Sequence, residues 1–353
     1  MIDLSKVTVR QQLVGAFGVL TVLLLLVSAV GVYQLGMSNR HFGDFVRNDL
    51  VRSTALANMR IAINRRAIEA RNIVLVPDAA QREAAPAKIN LFLHVVGRRD
   101  DGYHLLQSVF RLIDCCDQLR FSPRKDGAVA HARALPGLDA ETELSARAAR
   151  LLQREAGVTE GVDISLHKTI PVGGGLGGGS SDAATTLIAL NRLWRLGLSR
   201  HRLAELGLRL GADVPFFVSG GNAFVEGIGE RLSSIKLADA WYVILVPPVA
   251  VPTRAIFADP GLTRDSKTVK ISGFSEGFGH NDLEPIVCRH YPIVAVHLSW
   301  LRKFGDARMS GSGACVFAEF PTESQARSVL AKLPKEMHGL VVAGLSRHPL
   351  AEV

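Results

Sequence analysis

The sequence predicts an α+β fold for residues 85–353, preceded by an amino-terminal membrane helix and a second helical segment. Three observations lead to it. An uncharged, largely apolar run extends from Gln11 to Asn39. Near Ala84 the character of the chain changes abruptly, and from there short β-like runs alternate with helical patterns. Turns drawn from a total of 33 glycines punctuate that alternation. At 353 residues the chain also exceeds what one core usually supports. The expected units are a membrane helix at 1–36, a helical segment at 37–84, and two α+β halves at 85–237 and 238–353.

Leu13 to Tyr33, centred on VLLLLV at Val22–Val27, is long enough to cross a bilayer core at about 1.5 Å per residue. A secretory signal is the competing reading. The apolar region is longer than such signals usually are and no A-x-A-like cleavage site follows closely, which favours a retained membrane helix over residues 13–33. Lys6 and Arg10 precede it and Arg40, Arg47 and Arg52 follow, so flanking charge leaves its orientation open. Leu50, Leu56, Met59, Ile63 and Ile68 then recur at near-helical spacing, as in an amphipathic helix.

A composition of 48% hydrophobic and 21% charged residues reads as globular. Cys115, Cys116, Cys288 and Cys315 show neither CxxC nor Cys/His spacing suited to zinc, so they read as reduced structural thiols in a cytoplasmic part of the chain. A net charge of +8 invites an anionic partner, yet no dense Lys/Arg run appears, which argues against nucleic acid. A basic pocket for a phosphorylated metabolite and a solvated basic surface account for the charge equally well.

In the run from Ala85 to Phe110, Ile89, Leu91, Leu93 and Val95 alternate with Lys88, Asn90, Phe92 and His94, which predicts a strand with two distinct faces. Lys88 and Asn90 share a face, and a lysine turned inward there needs an anionic partner. From Ile170 to Trp194, six glycines crowd before a helix that opens near Ser180 to Asp182. Glycine lets backbone N–H groups turn towards a bound anion, and the helix behind adds its positive end, so the pair predicts a phosphate cradle. No GK[ST] ending follows, which excludes a Walker-type loop. No acidic residue stands about 20 positions on after a second strand, which excludes a nicotinamide site. Asp213, between Gly211 and Pro215 and beside Phe216 and Phe217, fits either a proton-accepting carboxylate or an aspartate that closes its own turn. A further glycine turn, RMSGSGACVFAEF from Arg308 to Phe320, is expected to lie against the first.

These runs stand in the order found in GHMP kinases, from about residue 86 to near the end. APAKINLFL, GYHLLQSVF, PVGGGLGGGSSDAA, GADVPFF and MSGSGACVF resemble the branch that phosphorylates 4-diphosphocytidyl-2-C-methyl-D-erythritol. The resemblance implies an amino-terminal half like ribosomal protein S5 domain 2 and a ferredoxin-like carboxy-terminal half, joined near Leu237. It implies ATP with magnesium as phosphoryl donor. The acceptor would be the 2-hydroxyl of a cytidine diphosphate-linked methylerythritol, an intermediate of non-mevalonate isoprenoid synthesis. Lys88 and Asp213 would be catalytic, with Asp213 as base. Pro171, Gly173, Gly174, Gly175, Leu176, Gly177, Gly178, Gly179, Ser180 and Ser181 would hold ATP. Asn90, Tyr103, His104, Thr253 and Phe257 would hold the substrate, with cytosine stacked between aromatic rings. The chain departs from the family at Glu143, where an asparagine is usual. Another small-alcohol kinase of the same superfamily, or an inert membrane-anchored fusion, stays open. The first 84 residues resemble the start of a methyl-accepting chemotaxis receptor, of which only one membrane helix and the beginning of a sensor helix are present.

Overall fold

The computed structural model describes residues 81–131, 143–274 and 278–351. The predicted membrane helix at 13–33, and the helical segment as far as residue 80, lie outside the described residues. Among the described residues no helix is long and apolar enough to cross a membrane.

Strand β1 (Gln81–Arg98) opens before the expected boundary. Arg82, Glu83 and Ala84 pair with Arg120, Leu119 and Gln118 of β2 (His104–Arg124), so residues 81–84 are strand rather than helix. Long-range pairing decided this, and no local pattern announces it. The expected alternation of β1 also needs correction. Ala85 to Val95 are buried on both faces, and register shifts between Pro86 and Ala87 and between Asn90 and Leu93 interrupt the period. Consequently Leu91 and Phe92 share one core cluster with Phe224, Tyr242 and Phe317, whereas Leu93 and Val95 join another with Leu283 and Val287.

β2 organises the first half: it pairs antiparallel with β1, β4 (Gly161–His167) and β5 (Ala223–Gly227). β3 (Val129–His131) runs parallel to β4, and β6 (Arg231–Ser234) extends β5. In the second half β7 (Trp241–Leu245) lies between β9 (Val316–Phe320) and β10 (Gly339–Leu345), with β8 (Ala307–Met309) on the far side of β9. Gly344 and Leu345 reach Ile113 and Leu112 of β2, which joins the halves into one mixed sheet.

Helices α1 (Leu144–Ala156), α2 (Gly178–Leu193), α3 (Arg200–Leu208) and α4 (Val214–Ser219) belong to the first half. Every residue of α2 from Ser181 to Leu190 is buried, because it packs against β1, α1 and α4 at once and keeps no polar stripe. Burial of Leu187, Ile188 and Leu190 contributes roughly 1.5–3 kcal/mol each. Helices α5 (Thr253–Ala258), α6 (Glu284–His290), α7 (Pro292–Leu301) and α8 (Glu323–Leu330) belong to the second half.

Glu143 caps α1, its carboxylate accepting from the N–H groups of Ser145 (2.8 Å) and Ala146 (3.2 Å). Burial pushes that carboxyl up, but the bonds from His131, Ser145 and the two N–H groups outweigh it and hold the group below the usual range. At the other end of the chain, His348 N–H donates to Gly220 O at 2.8 Å and Leu350 enters the first-half core.

Candidate active site

Lys88 and Asn90 lie on one side of β1, 4% and 2% exposed. The outer edge of β1 is covered rather than open: Lys88 N–H donates to Leu176 O and Leu93 N–H to His280 O, both at 2.9 Å. The edge contact brings the glycine loop onto the strand exactly where the lysine emerges. Lys88 Nζ donates to Asn90 Oδ1 at 2.6 Å, lies 4.2 Å from the centroid of the Phe110 ring, and stands 3.3 Å from Asp213 Oδ2. Asn90 Nδ2 donates in turn to Ser108 Oγ at 2.9 Å, so both ends of the amide are engaged within the protein.

Asp213 precedes α4, held by the Pro at its first turn and by Phe216 and Phe217 in the core. Its carboxylate makes no capping bond to that helix, so it does not close its own turn, and 30% of the side chain remains exposed. A carboxylate so placed is open to groups on its solvent side, and the buried ammonium is its ionic partner.

The loop before α2 has the predicted form. Gly173, Gly175 and Gly177 take φ of +69°, +75° and +72°, values that L-residues with side chains rarely adopt. A Cβ on Gly175 would stand 2.1 Å from Ser310 O, and one on Gly177 would stand 3.2 Å from Lys88 Cε. Gly177 is the N-cap of α2 and offers no capping side chain, so the first-turn N–H groups of Gly178, Gly179 and Ser180 have no partner within the helix. The Ser180 hydroxyl makes no hydrogen bond among the described residues. Ser181 differs: its Oγ donates to Pro86 O at 2.6 Å and its N–H to Gly177 O at 2.9 Å. Leu176 is core, 1% exposed, and Pro171 is half-buried at the loop's entry.

Beneath the cradle Lys168 bridges Asp117 and Asp182, at 2.6 Å from the latter. Burial, with Asp117 on the far side of the lysine, raises the Asp182 carboxyl. Asp117 Oδ1 also accepts from Thr169 (2.6 Å) and Ile170 (2.8 Å), which anchors the strand-to-loop passage.

The second glycine turn does lie against the first. Ser310 Oγ donates to Gly175 O at 3.0 Å and accepts from Asn90 N–H at 3.2 Å, and Cys315 N–H donates to Gly174 O at 3.1 Å. Buried Asn281 holds the turn, its Nδ2 donating to Met309 O and Gly311 O at 2.8 Å each. Ser312 Oγ meets Thr253 Oγ1 at 2.6 Å at the start of α5. One turn of α5 on, the Phe257 ring lies 5.1 Å from that of His104, inclined by 33°. Tyr103, beside it, is 61% exposed. Thus the second turn links the cradle to the predicted base-binding residues. Lys168, Asp182, Ser310, Asn281 and Arg264, which bonds His104, are the residues not singled out in the sequence; Asp182 stands in the first glycine motif and Ser310 in the second glycine turn, whereas the others sit in unremarkable segments.

A glycine-rich loop at a helix start, a lysine–aspartate pair and a second glycine turn, set together on this mixed sheet, have the arrangement of a GHMP kinase. Models for the GHMP kinases N terminal domain and the GHMP kinases C terminal match residues 143–221 and 271–339. The 4-diphosphocytidyl-2-C-methyl-D-erythritol kinase of Thiobacillus denitrificans is 62% identical over 271 residues, 77% of this chain and 98% of that protein. The enzyme of the same name from Nitrosospira multiformis is 61% identical over 269 residues, 75% of this chain and 92% of its own. A crystal structure of 4-(cytidine 5'-diphospho)-2C-methyl-D-erythritol kinase superposes with a TM-score of 0.66 at 33% identity, covering 75% of this chain and 99% of that one. The chain belongs to the 4-diphosphocytidyl-2-C-methyl-D-erythritol kinase family. Residues 6–93 match a further model, the four helix bundle sensory module for signal transduction, whose last residues, 81–93, fall on β1.

Proposed function

We propose that the chain transfers the γ-phosphoryl group of ATP to the 2-hydroxyl of 4-diphosphocytidyl-2-C-methyl-D-erythritol. The approach of Lys88 Nζ to within 3.3 Å of Asp213 Oδ2, beside the cradle, carries the reading. Asp213 takes the hydroxyl proton as the oxygen attacks phosphorus. Lys88, braced by Asn90, pairs with Asp213 and offsets charge on that oxygen, as positioning and electrostatics dominate phosphoryl transfer. The N–H groups of Gly178, Gly179 and Ser180 and the end of α2 receive the ATP phosphates. Gly173 to Gly177 shape the approach, and Ser181 ties the loop to β1. Tyr103, His104, Thr253 and Phe257 take the cytidylyl end.

Among the described residues no three His, Cys, Asp or Glu side chains form a metal cage. A magnesium ion carried on the ATP phosphates would have the Ser180 hydroxyl as its candidate protein ligand. Bound there, the ion neutralises phosphate charge. The requirement for ATP, together with four free cysteines, supports a cytoplasmic kinase part, divided near Leu237 into two halves, the first opening with β1.

Purified full-length chain incubated with ATP, magnesium and 4-diphosphocytidyl-2-C-methyl-D-erythritol should release ADP and a phosphorylated product visible by 31P NMR. A folded, ATP-binding sample that leaves the substrate untouched, or that prefers another alcohol from a panel, would overturn the reading.

A further inference from the structure

Arg264 follows α5 and makes four hydrogen bonds. Its Nε donates to His104 Nε2 at 3.1 Å, Nη1 donates to Leu262 O at 3.0 Å, and Nη2 donates to Phe257 O at 3.1 Å and Asp259 O at 2.7 Å. A guanidinium only donates and does not lose its proton in a protein. His104 Nε2 is therefore the acceptor in its bond, and a ring whose Nε2 lone pair is so occupied carries its one proton on Nδ1. Burial, then Arg264, then Arg98 push the His104 imidazole below its ordinary pKa, in agreement with a neutral ring. Nδ1 makes no hydrogen bond among the described residues, and Phe257 flanks the ring.

The geometry points to Arg264 as a positioning residue: by occupying Nε2 it holds His104 as the neutral Nδ1–H tautomer, so that the imidazole presents a donor to acceptor atoms of a pyrimidine base, such as N3 or O2 of cytosine. This rests on the reading of His104 and Phe257 as the cytidylyl end of the site. The opposite tautomer would present an accepting nitrogen, suited to an amino group instead. The three backbone carbonyls fix the guanidinium, and the guanidinium fixes the ring. The chain thereby stores base recognition in a residue that need not touch the base.

Two-bond 1H–15N spectra of the full-length chain, with labelled histidine and the His104 signals assigned by their loss in His104→Gln, should show at neutral pH an unprotonated Nε2 and a protonated Nδ1 without ligand. Arg264→Leu should release the ring towards the Nε2–H form and raise KM for the cytidylyl substrate about tenfold, the loss of one hydrogen bond, with kcat and the KM for ATP within about twofold. Arg264→Lys, which restores a donor to Nε2, should recover the tautomer and most of the KM. A wild-type ring protonated on Nε2 would overturn the inference. So would equal weakening by Leu and Lys with an unchanged tautomer, the pattern of an arginine that only braces carbonyls. The spectra need no turnover. If the tautomer responds as stated and Arg264→Leu weakens binding of cytidine 5′-diphosphate while the chain phosphorylates nothing, the kinase reading fails and this one stands.

Discussion

Replacing Asp213 by Asn removes the proposed base while keeping the volume and the packing of Phe216 and Phe217 behind it. The structure sets the size of each effect. Lys88 is buried but keeps Asn90 at 2.6 Å and the Phe110 ring at 4.2 Å, so the ammonium is not stranded when its carboxylate partner goes. With Asp213 itself 30% exposed, the pair is a partly solvated one and its loss should cost about 1 kcal/mol of stability or less. Turnover should respond far more, with kcat falling roughly 10²–10⁴-fold and both KM values changing little. Lys88→Met acts on the same proton transfer. Because the two groups work as a unit, the double variant should be scarcely slower than the worse single one. Single-turnover rates of the three variants, with urea unfolding as a control for stability, check this. Near-normal turnover in Asp213→Asn would refute the assignment of the base, and losses that multiply in the double variant would refute the unit.

Gly175→Ala combines φ +75° with a Cβ 2.1 Å from Ser310 O, so it should destabilise by more than about 2 kcal/mol and abolish ATP binding in a titration. Gly197→Ala, with φ +65° but nothing within 4 Å, should cost only about 1–2 kcal/mol and leave ATP binding intact. Asn281→Ala strands the carbonyls of Met309 and Gly311, and should lower stability by about 1–3 kcal/mol while raising KM for both substrates in steady-state assays. His348 is buried and pushed down to about 3, its Nδ1 accepting from Leu350 N–H. Its folded pKa lies below the unfolded one of about 6.5, so its neutral form stabilises the fold above about pH 6.5 and that contribution fades as pH falls towards 3. At pH 5 the loss is about 2 kcal/mol, and unfolding free energies from urea titrations at pH 7 and 5 should differ by about that much more in the parent chain than in His348→Asn.

The local sequence determined the chemistry-bearing segments of this protein. Six glycines followed at once by an apolar-periodic helix dictate the loop and helix start proposed to receive the phosphates, because positive φ and free first-turn N–H groups are local properties. The face shared by Lys88 and Asn90 was legible for the same reason, since a spacing of two residues on a strand is a local geometry. Tertiary structure alone decided what those groups meet. Asp213 lies 125 positions from Lys88, and its turn looked equally suited to capping itself until α4 packed beneath it and left the carboxylate facing the lysine. Residues 81–84 became strand through pairing with residues 118–121, and β1 lost its alternation to register shifts that only its partner strand imposes. Arg264 carries no signal in its segment, because its role is a bond to His104 across 160 residues. Patterns of period and turn are written between neighbours; hydrogen bonds that orient a charge or choose a tautomer arise between residues the chain brings together only once the core has closed.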